Sequence, residues 1–354
     1  MKAVPVRTTM KIMECVLIDA SMNTIKFITN DMELGIETQV EGEIIEKGIT
    51  AIDAKLFSEI IRKLPDNYIR IATGNSNTAK ITCEKSNFTI PIMDGEEFTR
   101  LPILDYSSSL TISQFTLKEM IRQTIFSIAA NENNPVMTGE LFEIKNQTLR
   151  LVSLDGHRIS IRNHLLTDQA NEAKIIIPGK TLSEISKILS GELDDLVNIY
   201  FSSQHIVVEM KETTVVSRLI DGDYFKIDHM LSSDYETKIH INKKDLIDCI
   251  DRATLLIKEN DKKPLILKIS EDEISLFIDS AYGSMNESIN IEKEGKDLII
   301  GFNPRFLLDV LRVINEETVT LYFINSKAPC YIRQENDEYI YLILPININQ
   351  NAYN

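Results

Sequence analysis

The sequence predicts an α+β protein of three similar domains, each assembled from two strand–helix–strand–strand–strand units, with the first domain short of one strand and one helix. Three observations carry the prediction. The chain has 354 residues, more than one hydrophobic core ordinarily organises, so two or three domains are expected. A short apolar strand leading into an amphipathic helix recurs along it. After each such helix come three strand-like runs, the signature of helices gathered on one side of largely antiparallel sheet.

The clearest copy begins at 174–178, an apolar strand, and continues as a helix over 181–189. Thr181 and Glu184 have the spacing of a capping box, which predicts that the helix starts there. Leu182, Ile185, Ile188 and Leu189 form one buried stripe. Strands are expected at 197–201, 206–210 and 214–220. The same order occurs earlier, with a strand at 49–52, a helix at 53–64 and strands at 68–71, 78–83 and 87–92. It returns near the end. A strand at 298–302 leads to Asn303 as N-cap and Pro304 at the first helical position, then a helix to 314 and strands at 319–323, 330–333 and 339–344.

A weaker copy precedes two of these three. One has a strand at 110–113, a helix at 117–122 and strands at 140–144, 148–153 and 158–162. The other has a strand at 238–241, a helix at 245–250 and strands at 265–269, 273–278 and 287–291. Residues 4–38 supply only the three-strand part of such a unit, at 15–19, 24–28 and 34–38. The expectation is therefore a chain shortened at its N-terminus, with one helix in the first domain and two in each of the others. Domain boundaries are expected at 1–105, 106–235 and 236–354.

The net charge of −15 argues against coating nucleic acid by charge alone, because tight phosphate binding needs clustered Lys and Arg. It leaves enclosure open, since a ring can carry acid outside and a modest basic lining inside. Cys15, Cys83, Cys249 and Cys330 lie far apart with no Cys-x-x-Cys pair, which reads as reduced thiols in a cytoplasmic protein and not as a zinc site. No apolar run approaches the ~20 residues of a membrane span, and no apolar segment follows the basic N-terminus as in a secretory signal.

Asp155, His157 and Arg158 invite an enzymatic reading. No Gly-x-Ser-x-Gly elbow, P-loop, dinucleotide fingerprint or His-Glu-x-x-His accompanies them. If the strand continued through that turn, alternation would put His157 and Arg158 on opposite faces. No catalytic residue, cofactor or metal ligand is predicted.

Four segments carry a more specific signal. They are Leu151-Val152-Ser153-Leu154-Asp155-Gly156-His157-Arg158 shortly after Gly139-Glu140-Leu141-Phe142-Glu143, Ser217-Arg218-Leu219-Ile220-Asp221-Gly222-Asp223-Tyr224, Gly301-Phe302-Asn303 with Leu307, Val310 and Leu311, and Leu342-Ile343-Leu344-Pro345-Ile346. In this order they resemble the bacterial sliding clamps, the beta subunits of DNA polymerase III. The resemblance implies a non-enzymatic DNA-replication processivity factor. Two protomers would join head to tail as a homodimeric ring with helices lining the pore, holding double-stranded DNA topologically and without sequence preference.

It also implies site residues. A peptide cleft for the replicative polymerase, the clamp loader and repair proteins would be walled by Met137, Leu154, Gly156, His157, Arg158, Ile159, Phe225, His229, Met230, Pro329, Leu342, Leu344, Pro345 and Ile346. Phe225 and His229 depart from the Pro and Arg more usual in the family. Candidate DNA-facing residues are Lys55, Arg62, Lys63, Lys118, Arg122, Lys180, Lys187, Lys243, Lys244, Arg252, Arg305 and Arg312 on the helices. Arg7 and Asn131 would join them from loops. Ile60 and Leu64 would meet Leu255 and Leu256 at the dimer interface.

Overall fold

The computed structural model describes residues 3–5, 7–74, 77–102, 108–130, 134–258, 263–334 and 336–349. The chain opens with β1 (Cys15–Asp19), β2 (Ile25–Asn30), β3 (Leu34–Val40) and β4 (Ile49–Asp53). Helix α1 (Ala54–Lys63) follows, then β5 (Arg70–Thr73), β6 (Thr78–Cys83) and β7 (Ser86–Asp94). The middle third holds β8 (Ser108–Ser113), α2 (Gln114–Thr124), β9 (Gly139–Lys145), β10 (Thr148–Leu154) and β11 (Arg158–Leu165). It continues through β12 (Ala173–Pro178), α3 (Gly179–Ile188), β13 (Leu196–Phe201), β14 (His205–Met210) and β15 (Thr213–Arg218). The last third has β16 (Thr237–Asn242), α4 (Lys243–Thr254), β17 (Leu265–Ser270), β18 (Glu273–Ser280), β19 (Gly283–Asn290) and β20 (Glu292–Gly295). It ends with β21 (Leu298–Phe302), α5 (Pro304–Val313), β22 (Thr318–Phe323), β23 (Cys330–Arg333) and β24 (Tyr339–Ile343).

Strand–helix–strand–strand–strand repetition is thus the organising pattern, as the periodicity predicts. Among the described residues the first third carries one α-helix and each of the others two. No helix among them is long and apolar enough to cross a membrane.

Helix starts follow from local chemistry at three places. Asp53 accepts from Leu56 N at 2.7 Å, Asn242 from Asp245 N at 3.1 Å and Asn303 from Arg305 N at 3.0 Å. Each such cap is worth about 1 kcal/mol. Pro304 then occupies the first turn of α5, where its missing N–H costs nothing. The capping-box reading at Thr181 is corrected. Helix α3 begins at Gly179, directly after β12, so Thr181 and Glu184 lie inside it and are buried. The strand runs to Pro178 and the chain turns into the helix at once, which advances the start by two residues. Strand β20 was absent from the expected pattern because Glu-Lys-Glu-Gly has no apolar alternation. Paired with β16 at the end of its sheet, it presents the charged edge that resists unwanted strand pairing.

The chain divides into two compact units that do not coincide with its thirds. Residues 1–115 and 187–219 form one, built on an eleven-stranded antiparallel sheet in the order β5-β6-β7-β4-β1-β2-β3-β15-β14-β13-β8. Its core sets Phe57 and Ile60 of α1 against Val16, Ile18, Ile52 and Ile81. Residues 116–186 and 220–354 form the other. It contains a nine-stranded sheet, β12-β9-β10-β11-β24-β23-β22-β16-β20, and a four-stranded sheet, β19-β18-β17-β21. Leu246, Cys249 and Ile250 of α4 and Leu307, Val310 and Leu311 of α5 share its largest core with strands of both sheets.

Candidate partner cleft and basic helices

Every residue expected in the cleft belongs to the second unit, and the nine-stranded sheet organises most of them. Strands β10 and β11 are joined by a tight turn in which Asp155 Oδ1 accepts from the amides of His157 (3.0 Å) and Arg158 (3.1 Å). Gly156 has φ +81°, the left-handed region that glycine enters without penalty. Alongside lies β24, with Ile159 opposite Leu342, and the chain beyond it stays in register as Leu344 N donates to His157 O at 2.9 Å. Ile346 N then donates to Gly301 O at 2.8 Å. A β-carbon at Gly301 would fall 2.7 Å from Ile348 Cγ2, so any larger residue there would force that side chain to shift.

Leu154, Ile159 and Leu342 are buried in one apolar cluster with Val136, Val152, Tyr224, Ile227 and Tyr331, and Met137 and Leu344 pack against it half-buried. Pro329, Pro345 and Ile346 are also half-buried. Phe225 and Met230 are each 41% exposed, which leaves apolar surface free beside the cluster. His229 is exposed between them, in the 3-10 turn Asp228–Met230. Tyr331 fixes this turn by donating its hydroxyl to Met230 O at 2.7 Å. Tyr331→Phe is expected to cost about 1 kcal/mol, the usual worth of one such bond. Hydrogen exchange should show faster exchange at the Met230 and Leu231 amides, with the sheet unchanged.

The structure corrects the reading of His157 and Arg158 as residues on opposite faces. Strand β11 starts only at Arg158, so His157 belongs to the turn and strict alternation does not apply. Both side chains meet the Phe306 ring of α5. His157 stacks on it at 6.1 Å between centroids, and the Arg158 guanidinium lies 4.5 Å from its centre. Arg158 also donates to Asp155 Oδ2 (2.9 Å), Asp309 Oδ2 (2.6 Å) and Phe126 O (2.6 Å). It is 9% exposed and serves as a strut holding the turn to α5, while His157 faces solvent. Sequence reasoning missed Phe306, Asp309, Tyr224 and Tyr331. For Phe306 a signal existed, since it sits at the margin of the Leu307–Val310–Leu311 stripe.

The basic residues divide by their partners. Arg122 is bound to Glu119 by a fork of 2.9 and 2.7 Å and reaches Val313 O and Asn315 Oδ1, each at 3.1 Å. That hydrogen-bonded guanidinium holds the Glu119 carboxyl below its ordinary range. Lys243 donates to Ile314 O, Arg252 pairs with Glu287 at 2.9 Å, and Arg312 with Asp251 at 2.9 Å. Lys55, Arg62, Lys63, Lys244 and Arg305 are exposed and form no ion pair among the described residues. Lys118 is half-buried, and Lys180 and Lys187 are exposed with interactions of their own. Arg7 is exposed, and Asn131 lies outside the described residues.

Of the expected interface residues, Ile60 is 7% exposed within its own core and Leu64 half-buried against that core. Leu256 packs against the core of its unit, whereas Leu255 is 82% exposed. A polar cavity of about 470 Å³, lined by Thr237, Lys268, Lys296, Asp297 and Asn325 among others, contains none of the candidate residues.

Comparison with known proteins shows the family. Three models of the DNA polymerase III beta subunit match in succession: the N-terminal domain over residues 1–102, the central domain over 111–226 and the C-terminal domain over 229–347. The chain belongs to the DNA polymerase III beta subunit family. A beta sliding clamp of Staphylococcus epidermidis is 31% identical over 98% of this chain and 94% of its own length. Among solved beta subunits, one from Eubacterium rectale is similar with a TM-score of 0.94 and 59% identity, covering 98% of this chain and 95% of that one. The Bacillus subtilis DNA polymerase sliding clamp gives a TM-score of 0.93 at 31% identity, with the same coverage. These matches do not support the expected N-terminal shortening. The N-terminal beta-subunit model aligns from residue 1, and the chain spans 94–95% of these relatives.

Proposed function

We propose that this chain is a non-catalytic processivity factor of the cytoplasm, a sliding clamp that encloses duplex DNA and tethers a replicative polymerase, a clamp loader and repair proteins. Membership of the beta subunit family is the observation that carries the reading. Two such chains would close the ring head to tail, through Leu64 of one copy and Leu255 and Leu256 of the next. Ile60, buried in its own core, would back that contact from behind.

The DNA would be held by enclosure and not by a strongly basic surface. A net charge of −15 and the internal pairing of Arg122, Arg252 and Arg312 both favour weak phosphate contact. Lys55, Arg62, Lys63, Lys244 and Arg305 are the exposed cations best able to supply it, with Arg7, Lys118, Lys180, Lys187 and Lys243 as further candidates. Low friction requires that no base be read and no phosphate gripped tightly.

Partner peptides would lie in extended form across the surface made by Met137, Leu344, Phe225 and Met230, over a floor of the buried Leu154, Ile159 and Leu342. Leucine or phenylalanine side chains of the peptide would enter it, and the methionines would adapt to different partners. Gly156, His157, Pro345 and Ile346 would extend the surface toward Phe306. Pro329 and His229 would border it.

The deciding experiment loads the protein, with a clamp loader, onto nicked circular DNA and onto the same DNA linearised. Retention on the circle with rapid loss from the linear form is expected. Equal retention on both would mean binding by surface contact and would overturn the enclosure reading.

A further inference from the structure

Behind the cleft, on β9, stands a carboxyl group that the proposed function does not use. Glu140 is 0% exposed, and its Oε2 has no hydrogen-bond partner among the described residues. Its Oε1 meets one group, the hydroxyl of Thr124 at the end of α2. That hydroxyl also contacts Met120 O at 2.8 Å.

Counting protons decides the state of the pair. A threonine hydroxyl has one proton to give. Were Glu140 ionised, Thr124 could satisfy either the carboxylate or the Met120 carbonyl, and the remaining oxygens would face each other without a proton between them. A carboxylate oxygen would also be buried with no donor and no cation, one of the costliest arrangements in a protein interior. With a proton on Oε1, the chain from Glu140 through Thr124 Oγ1 to Met120 O satisfies both of the short contacts in sequence.

No neighbouring charge upsets this count. The ionisable residues of the surrounding elements are engaged with each other or reach the surface. Glu119 and Arg122 of α2 pair together, Arg150 of β10 pairs with Glu143 of β9 and with Asp228, and Lys118 is half-buried with an interaction of its own. Lys145, Lys174, Asp221, Asp223 and Lys226 are exposed. An ionised Glu140 would push the Tyr224 hydroxyl up further, and that hydroxyl is occupied in donating to Val152 O at 3.0 Å.

We infer that Glu140 is a neutral carboxylic acid in the folded protein, donating its proton to Thr124 and acting as a proton-dependent clasp between α2 and the cleft-bearing sheet. The position gives the clasp its reach. Ser153 Oγ donates to the Thr124 carbonyl. In the turn that follows, Ser127 Oγ lies 2.6 Å from Ser160 Oγ of β11, and Phe126 O receives Arg158. The last turn of α2 is thereby fastened to the two strands that form the front of the cleft. Burial, opposed only by the Thr124 hydroxyl, pushes the carboxyl up from 4.5 to about 8.

The sign follows from linkage. Because the folded state holds the proton more tightly than the unfolded chain, this stabilisation is complete below about pH 4.5, declines as pH rises, and is lost once pH passes about 8. The test is infrared spectroscopy of the full chain carrying isotopically labelled glutamate. At pH 7 a protonated carboxyl band is expected that moves with the label, disappears in Glu140→Gln and titrates away near pH 8. In parallel, the Tm of the wild type should fall by several degrees between pH 6 and pH 9, and Glu140→Gln should remove most of that fall. Absence of a labelled protonated band at pH 7 would overturn the inference, as would an unchanged pH slope in the variant. Should Glu140→Gln fail to fold, Thr124→Val serves, since loss of the acceptor must shift the same band to higher frequency. An unshifted band would sink the clasp.

Discussion

Arg158→Ala is expected to destabilise the protein by about 3 kcal/mol, the low end for removing one partner of a buried ion pair. The guanidinium satisfies Asp155, Asp309 and the Phe126 carbonyl at once and covers the Phe306 ring. Truncation leaves Asp155, with a side chain 16% exposed, short of its cation. Asp309 is 35% exposed and recovers part of its solvation from water, which keeps the loss away from the upper end of the range. Arg158→Lys should recover only part of the stability, because an ammonium cannot reproduce the fork or the stacking. Urea unfolding measures both. Peptide capture should weaken with it, since the turn bearing Gly156 and His157 loses its tie to α5. A fluorescent pentapeptide containing Leu and Phe is expected to bind about tenfold more weakly, or about 1.4 kcal/mol. A variant within 0.5 kcal/mol of wild type would show that the strut is dispensable.

Leu255→Asp should separate ring assembly from folding. The side chain is 82% exposed, so the substitution removes almost no packing within the protomer, and the unfolding midpoint should barely move. In an apolar head-to-tail contact a buried, unpaired carboxylate costs about 2–4 kcal/mol, the scale of an interface hot spot. A closed two-protomer ring contains the contact twice, so the loss is doubled for full dissociation. Light scattering is expected to report twice the protomer mass of 40.3 kDa for the wild type and the protomer mass for the variant. Retention on circular DNA should disappear with it. A variant that remains dimeric would remove Leu255 from the interface.

What could be read from the sequence was what local chemistry dictates. Helix α5 was legible because Asn303 and Pro304 set its start and Leu307, Val310 and Leu311 its buried face. The turn at Gly156 was legible because few residues tolerate its backbone. Arg158 was expected at the cleft, but its role was not readable. Its partners Phe126 and Asp309 lie 32 and 151 residues away, and no local pattern encodes such meetings. Glu140 was invisible for a related reason. An acid inside an apolar strand looks like a solvent-facing position until the fold covers it with α2. The start of α3 failed differently: Thr181 and Glu184 had the right spacing, and the junction with β12 overrode it.

The pairing of β15 with β3, and of β11 with β24, separates the repeat in the sequence from the piece that folds. The middle third contributes β8, β13, β14 and β15 to one sheet and β9 to β12 to another. Excised as a fragment of 106–235, it would present two raw borders, at β15 and at β11, each a row of open peptide groups ready to recruit other chains. Expression of that segment alone should give aggregates, whereas cuts respecting the sheets would need chain from two thirds at once. The sequence repeats in one register, and the protein is sewn together half a step out of phase with it.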